Sequence, residues 1–75
     1  MDVAMEVDCK GLNCPMPIMK IRKAIDSLKK GDVVKLLATD PGCENDVNAW
    51  IKRTGNVLLK QEHDGAVQIF YLQKA

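Results

Sequence analysis

The sequence predicts a two-layer α/β sandwich in the order β-α-β-α-β-β. A four-stranded mixed sheet would carry both helices on one face. Three observations carry this prediction. Two stretches repeat apolar residues at helical spacing, one before and one after a nearly continuous apolar run from Val33 to Thr39. That run suits a central strand. Near the end, an Asp64-Gly65 pair joins two alternating segments, the mark of a tight hairpin. A chain of 75 residues makes a single domain, residues 1–75.

The elements follow in order. Val3 to Asp8 alternates apolar and polar residues and reads as a short strand. Cys9 to Asn13 is a loop, with Gly11 permitting a tight bend. The first helix places Ile18, Ile21, Ile25 and Leu28 on one stripe, with Lys29 and Lys30 in its last turn and Gly31 ending it. Val33 to Thr39 is the apolar strand. Asp40 is placed as the N-cap of the second helix, with Pro41 at the first helical position. Cys43, Val47, Trp50, Ile51 and Thr54 form its stripe, Trp50 is expected in the core, and Gly55 stops it. Val57 to Glu62 is a strand, His63 to Ala66 a turn, and Val67 to Gln73 the last strand. Each strand–helix–strand passage implies a parallel pair. Leu58, Phe70 and Leu72 are assigned to the open face of the sheet, where they would mark a partner or dimer contact. The expected state is a monomer or weak dimer.

Composition narrows the function. The net charge of +1 gives no reason to expect a general nucleic-acid binder or membrane-surface binder. No run of about 18 apolar residues is present to span a membrane. The first residues, Met1 to Glu6, lack both parts of a signal peptide. The cytoplasm is the expected compartment. Three cysteines make a poor disulfide framework.

One cysteine stands in a chemical setting. Cys14 immediately precedes two prolines, Pro15 and Pro17, and an apolar-periodic run. Proline is welcome in a first helical turn, and the residue before it is pushed out of the α region. Cys14 is therefore expected at or just ahead of a helix N-terminus. The dipole there, with the N–H groups of Met16 and Ile18 left free, would favour a thiolate. Lys10 and Lys20 are candidates to stabilise the anion. Met16, Met19, Lys20 and Lys23 fall on the outer side of the helix and form a candidate partner-docking face. Methionine suits adaptable contacts; the alternative is that Met16 and Met19 are incidental surface. No partnered base lies near Cys14, so stoichiometric transfer is expected, not turnover on a small substrate.

The other candidates read more plainly. Cys43 lies on a core stripe, or else is a second thiol at a helix N-terminus. Cys9 is a strand-end residue that could pair with Cys14 only in oxidising conditions. His63 is a solvated turn residue. A Cys₃His metal set of Cys9, Cys14, Cys43 and His63 is a weaker reading, and no metal is assigned.

The run Asp8-Cys9-Lys10-Gly11-Leu12-Asn13-Cys14-Pro15-Met16-Pro17 resembles the signature of the TusA/SirA family of small sulfur carriers. The similarity continues through Lys30-Gly31-Asp32, Thr39-Asp40-Pro41 and the tryptophan-bearing second helix. The resemblance implies the two-layer sandwich found also in the C-terminal domain of a bacterial translation initiation factor. It implies that Cys14 holds a persulfide as a transient covalent state, with no other cofactor, and passes its outer sulfur on. Gly11, Leu12, Pro15 and Pro17 are the motif positions around it. It further implies a donor protein, a rhodanese or a cysteine desulfurase, and an acceptor protein, DsrE-like in sulfur oxidation. Transfer RNA thiolation and molybdenum-cofactor biosynthesis are the other pathways such carriers serve. The alternative is a non-catalytic RNA-binding or regulatory interaction module, which rests on fold analogy alone.

Overall fold

The two helical stripes and the alternating runs become six elements in a computed structural model, which describes residues 2–13 and 15–75. They are β1 (Met5–Cys9), α1 (Met16–Asp26), β2 (Val33–Ala38), α2 (Cys43–Thr54), β3 (Val57–Asp64) and β4 (Val67–Gln73). The sheet order is β1-β2-β4-β3. β1 runs parallel to β2, and β4 is antiparallel to both β2 and β3. β3 is thus parallel to β2 in direction but is not its neighbour. The hairpin folds β4 back into the place between them.

Register decides which residues are inside. Val7 faces Leu36, and Leu36 faces Phe70; Met5 faces Val34, and Val34 faces Leu72. Residues so aligned share one face of the sheet. Ile21 and Ile25 of α1, with Cys43, Val47 and Trp50 of α2, close over that face. Phe70 and Leu72 therefore lie in the core, fully buried, and Leu58 packs against it. Their assignment to the open face is corrected: the central position of β4 turns them toward the helices. Each large apolar side chain buried this way contributes about 1.5–3 kcal/mol.

The open face instead carries half-buried Leu37, Ile69 and Tyr71 among charges. Lys35 lies 3.6 Å from Glu6 and 5.9 Å from the centre of the Tyr71 ring. Lys60 and Glu62 approach to 3.3 Å.

Element ends differ from expectation for local reasons. β1 starts at Met5, because β2 offers its first paired residue at Val34 and Ala4 N–H donates to Val33 O at 2.8 Å. α1 stops at Asp26, four residues short of Lys30. There the Ser27 hydroxyl donates to Ala24 O at 2.7 Å, a local bond that competes with the helix ladder. α2 begins at Cys43, not Pro41; Asp40 still serves the turn, since its Oδ1 accepts the Gly42 N–H at 3.0 Å. β3 continues through His63 and Asp64, so the hairpin loop is only Gly65-Ala66. Gly65 has φ +60, and no residue other than glycine has positive φ among those described. These are the φ signs of a type II′ turn, which matches strand twist.

Candidate functional site

The site grows from the join between β1 and α1. Cys9, the last residue of β1, is buried in the core. The chain then turns at Gly11, where φ is +80, a conformation that costs glycine nothing. The Gly11 N–H donates to Thr39 Oγ1 at 2.9 Å, and the Leu12 N–H donates to Cys9 O at 3.1 Å. Leu12 packs against the core. The loop is thus tied to the end of β2 and back onto β1.

Pro15 stands at the N-cap of α1, with φ −97 and ψ 15. The helix begins at Met16, so Met16 is helical although a proline follows it. Its N–H donates to Asn13 O at 2.9 Å, and the Met19 N–H donates to Pro15 O at 3.1 Å. The expectation that the Met16 N–H is free is therefore corrected: the preceding turn takes it up. Pro17 is buried beneath the first turn and seats the helix on the core. Cys14 lies outside the described residues.

The expected docking residues are at the surface. Met16 is 41% exposed and Met19 57% exposed, and Lys20 and Lys23 are exposed with them. A cleft opens on each side. Toward α2, a cleft of about 240 Å³ is lined by Pro15, Ile18, Asp46, Ala49, Trp50 and Arg53. Toward β1, a groove of about 460 Å³ is lined by Met5, Val7, Lys20, Lys23, Ala24 and Ser27. Sequence reasoning missed the contribution of α2. The signal was present: Asp46, Ala49 and Arg53 recur at i, i+3 and i+7, one helical face. Lys10 is beside a carboxylate, 3.9 Å from Asp8.

The two described cysteines are not placed for exchange with another protein. Cys9 is 0% and Cys43 1% exposed. Burial pushes the Cys9 thiol above its ordinary value of 9.0; the Lys20 charge opposes this and the Asp8 charge adds to it. Cys9 is a free thiol; the pairing with Cys14 considered for oxidising conditions falls on a residue outside those described. Cys43 sits inside the core while His63 is exposed on β3. Among the described residues, no three His, Cys, Asp or Glu side chains gather to hold a metal. Among them, too, no helix is long and apolar enough to cross a membrane.

Comparison with known proteins adds to this geometry. The family model described as sulfurtransferase TusA matches residues 5–74. The sulfur carrier protein TusA of Allochromatium vinosum is 38% identical over 74 residues, covering 99% of this chain and 97% of its own. YrkI of Bacillus subtilis is 44% identical over 68 residues, covering 91% of each chain. The crystal structure of a SirA-like protein from Desulfitobacterium hafniense matches with a TM-score of 0.81 at 22% identity, covering 92% of this chain and 95% of that one. At that identity the likeness is one of fold.

Proposed function

Because the chain belongs to the sulfurtransferase TusA family of sulfur carriers, we propose that Cys14 accepts a sulfane sulfur from one protein and hands it to another. The observation that carries this reading is the burial of the other two thiols, Cys9 and Cys43. A buried cysteine is a poor thiolate and is closed to a protein-sized partner. Cys14 precedes the residue that caps α1, and a helix N-terminus favours an anion.

The chemistry is two thiol exchanges. The Cys14 thiolate attacks the outer sulfur of a donor persulfide. A bond forms between Sγ and that sulfur, the donor S–S bond breaks, and the donor leaves as a thiolate. An acceptor thiolate then attacks the same outer sulfur, and Cys14 leaves as the thiolate it began as. No net oxidation occurs across the pair of steps. A rhodanese or a cysteine desulfurase fits as donor, and a thiol protein as acceptor, in a reducing cytoplasm. Met16, Met19, Lys20 and Lys23 would form the surface on which either partner rests; their exposure supports that role.

The test is sulfur loading. Thiosulfate with a rhodanese, or cysteine with a desulfurase, should add the mass of one sulfur atom to the intact protein. Cys14→Ser should abolish the addition; Cys9→Ser and Cys43→Ser should retain it. Loading of Cys14→Ser as readily as the parent protein would end the assignment and turn attention to Cys43.

A further inference from the structure

We infer that the free edge of β1 and the groove beside it bind an extended, acidic segment of a partner protein, which adds to the sheet as a fifth strand. This rests on the carrier reading, because it says how a relay partner is held.

Three features meet there. First, β1 is an edge strand. The Ala4 N–H points to β2, where it bonds Val33 O. Ala4 lies in a bend before β1, so the strand's own pairing decides the rest. The Lys74 N–H donates to Asp32 O, and backbone groups alternate sides along a strand. This turns the backbone groups of Val34 and Leu36 to β4 and those of Val33, Lys35 and Leu37 to β1. Met5 and Val7, aligned with Val34 and Leu36, therefore bond β2, and the N–H and C=O of Glu6 and Asp8 point away from the sheet. Such a row is a template for another chain. Second, the side chains beside that row are apolar. Met5 and Val7 share the groove with Ala24 of α1, and Met5 is 36% exposed. Third, the ionic groups lining the groove are Lys20 and Lys23, and among the described residues neither lies in a salt bridge.

The occupant follows from these features. An added strand would direct alternate side chains into the groove. An apolar one would rest on Met5, Val7 and Ala24, and carboxylates on either side of it would meet the two ammonium groups. A second copy of this chain fits less well. Its β1 carries Met5 and Val7 on the helix side, while Glu6 and Asp8 belong to the other face. It would bring no carboxylate to Lys20 or Lys23. The far edge, β3, is a poorer template, because a register shift interrupts it between Leu58 and Lys60, a device that blunts edges. Lys20 and Lys23 stand five and eight residues past Pro15, about 7.5 and 12 Å along the helix axis. A strand held there lies beside the start of α1.

The probe is a blocked hexapeptide, Glu-Thr-Val-Thr-Glu-Thr, titrated into isotope-labelled protein, with Lys-Thr-Val-Thr-Lys-Thr as its counterpart. The acidic peptide should shift the Glu6 and Asp8 amides and slow their hydrogen exchange, and added salt should weaken it. The lysine peptide should do neither. Lys20→Glu with Lys23→Glu should weaken binding by roughly tenfold or more. Glu6→Pro removes an outward N–H without touching a β1–β2 bond, and should weaken binding similarly. Should Glu6→Pro fail to fold, the lysine pair decides. Glu6→Ala, on the opposite face, should bind as the parent does. Cys14→Ser should still bind the peptide while taking up no sulfur, so loss of one reading is separable from loss of the other. Silent Glu6 and Asp8 amides at millimolar peptide, or shifts confined to Val57–Asp64, would overturn the inference. So would equal binding of the lysine peptide. Protection of the β1 amides that grows with protein concentration alone would assign the edge to a second copy instead.

Discussion

Replacing Cys14 by serine leaves two thiols, Cys9 and Cys43, both in the core. Alkylation of that variant should then report how the fold opens. A folded domain is stable by about 0.05–0.15 kcal/mol per residue, or roughly 4–11 kcal/mol over 75 residues. Each 1.4 kcal/mol is about a factor of ten. A thiol exposed only on global unfolding should react about 10³-fold slower than in the denatured chain at the low end, and about 10⁸-fold slower at the high end. The two cysteines should separate. Cys9 ends an edge strand of five residues, which can open at less cost than the whole domain. Cys43 is the first residue of α2 and is buried in the core with Val47 and Trp50. The expected result is slow labelling of Cys9 first and Cys43 later, followed by peptide mass spectrometry over a time course. Urea should accelerate Cys43 along the global unfolding slope. Labelling of either residue within about tenfold of the denatured rate would refute the argument that burial reserves sulfur chemistry for Cys14.

Further outcomes follow from the same structure. Trp50→Ala should lower stability by about 3–5 kcal/mol, read by urea titration, and the parent's tryptophan emission should move red on unfolding because the ring is buried. Lys20→Glu with Lys23→Glu should slow sulfur receipt from an acidic donor at low salt while changing stability by under about 0.5 kcal/mol per site; an unchanged rate would remove this face from docking. Thr39→Val deletes the acceptor of the Gly11 N–H, and should cost about 0.5–1.5 kcal/mol and speed hydrogen exchange at Gly11. Burial holds the Cys9 thiol above 9.0, so the unfolded chain loses that proton first as pH rises. Stability is insensitive to this group below 9.0 and falls as pH climbs from there toward the raised value; Cys9→Ala should flatten that alkaline decline.

Much of the fold was legible, because its signals are periodic. The stripes through Ile21 and Ile25, and through Val47 and Trp50, needed only helical spacing. Phe70 and Leu72 were misplaced because alternation says which residues share a face, not which face is covered. That choice is made by strand order, and no local pattern announces that β4 enters between β2 and β3. Ser27 and Asp40 moved helix ends through single side-chain bonds, which periodicity does not see. At the candidate site, the Cys-Pro-x-Pro run pointed to a helix start, and Pro15 at the N-cap and Pro17 in the first turn of α1 agree with it. Asp46 and Arg53 were missed because only packing of α2 beside α1 brings them to Pro15.

The place of β4 also bears on how the chain is made. The ribosome delivers residues from the N-terminus, yet the strand that joins the two halves of the sheet is the last of the six elements. Until residues 67–73 emerge, β3 has no neighbour, and β2 has only the short edge β1. Two-stranded pieces are marginal in water. The nascent chain therefore gains its core in one late step, with no stable half-domain beforehand. A stop codon before Val67 would leave helices with no complete sheet to cover, and such a fragment is expected to be degraded without lingering as a partial carrier.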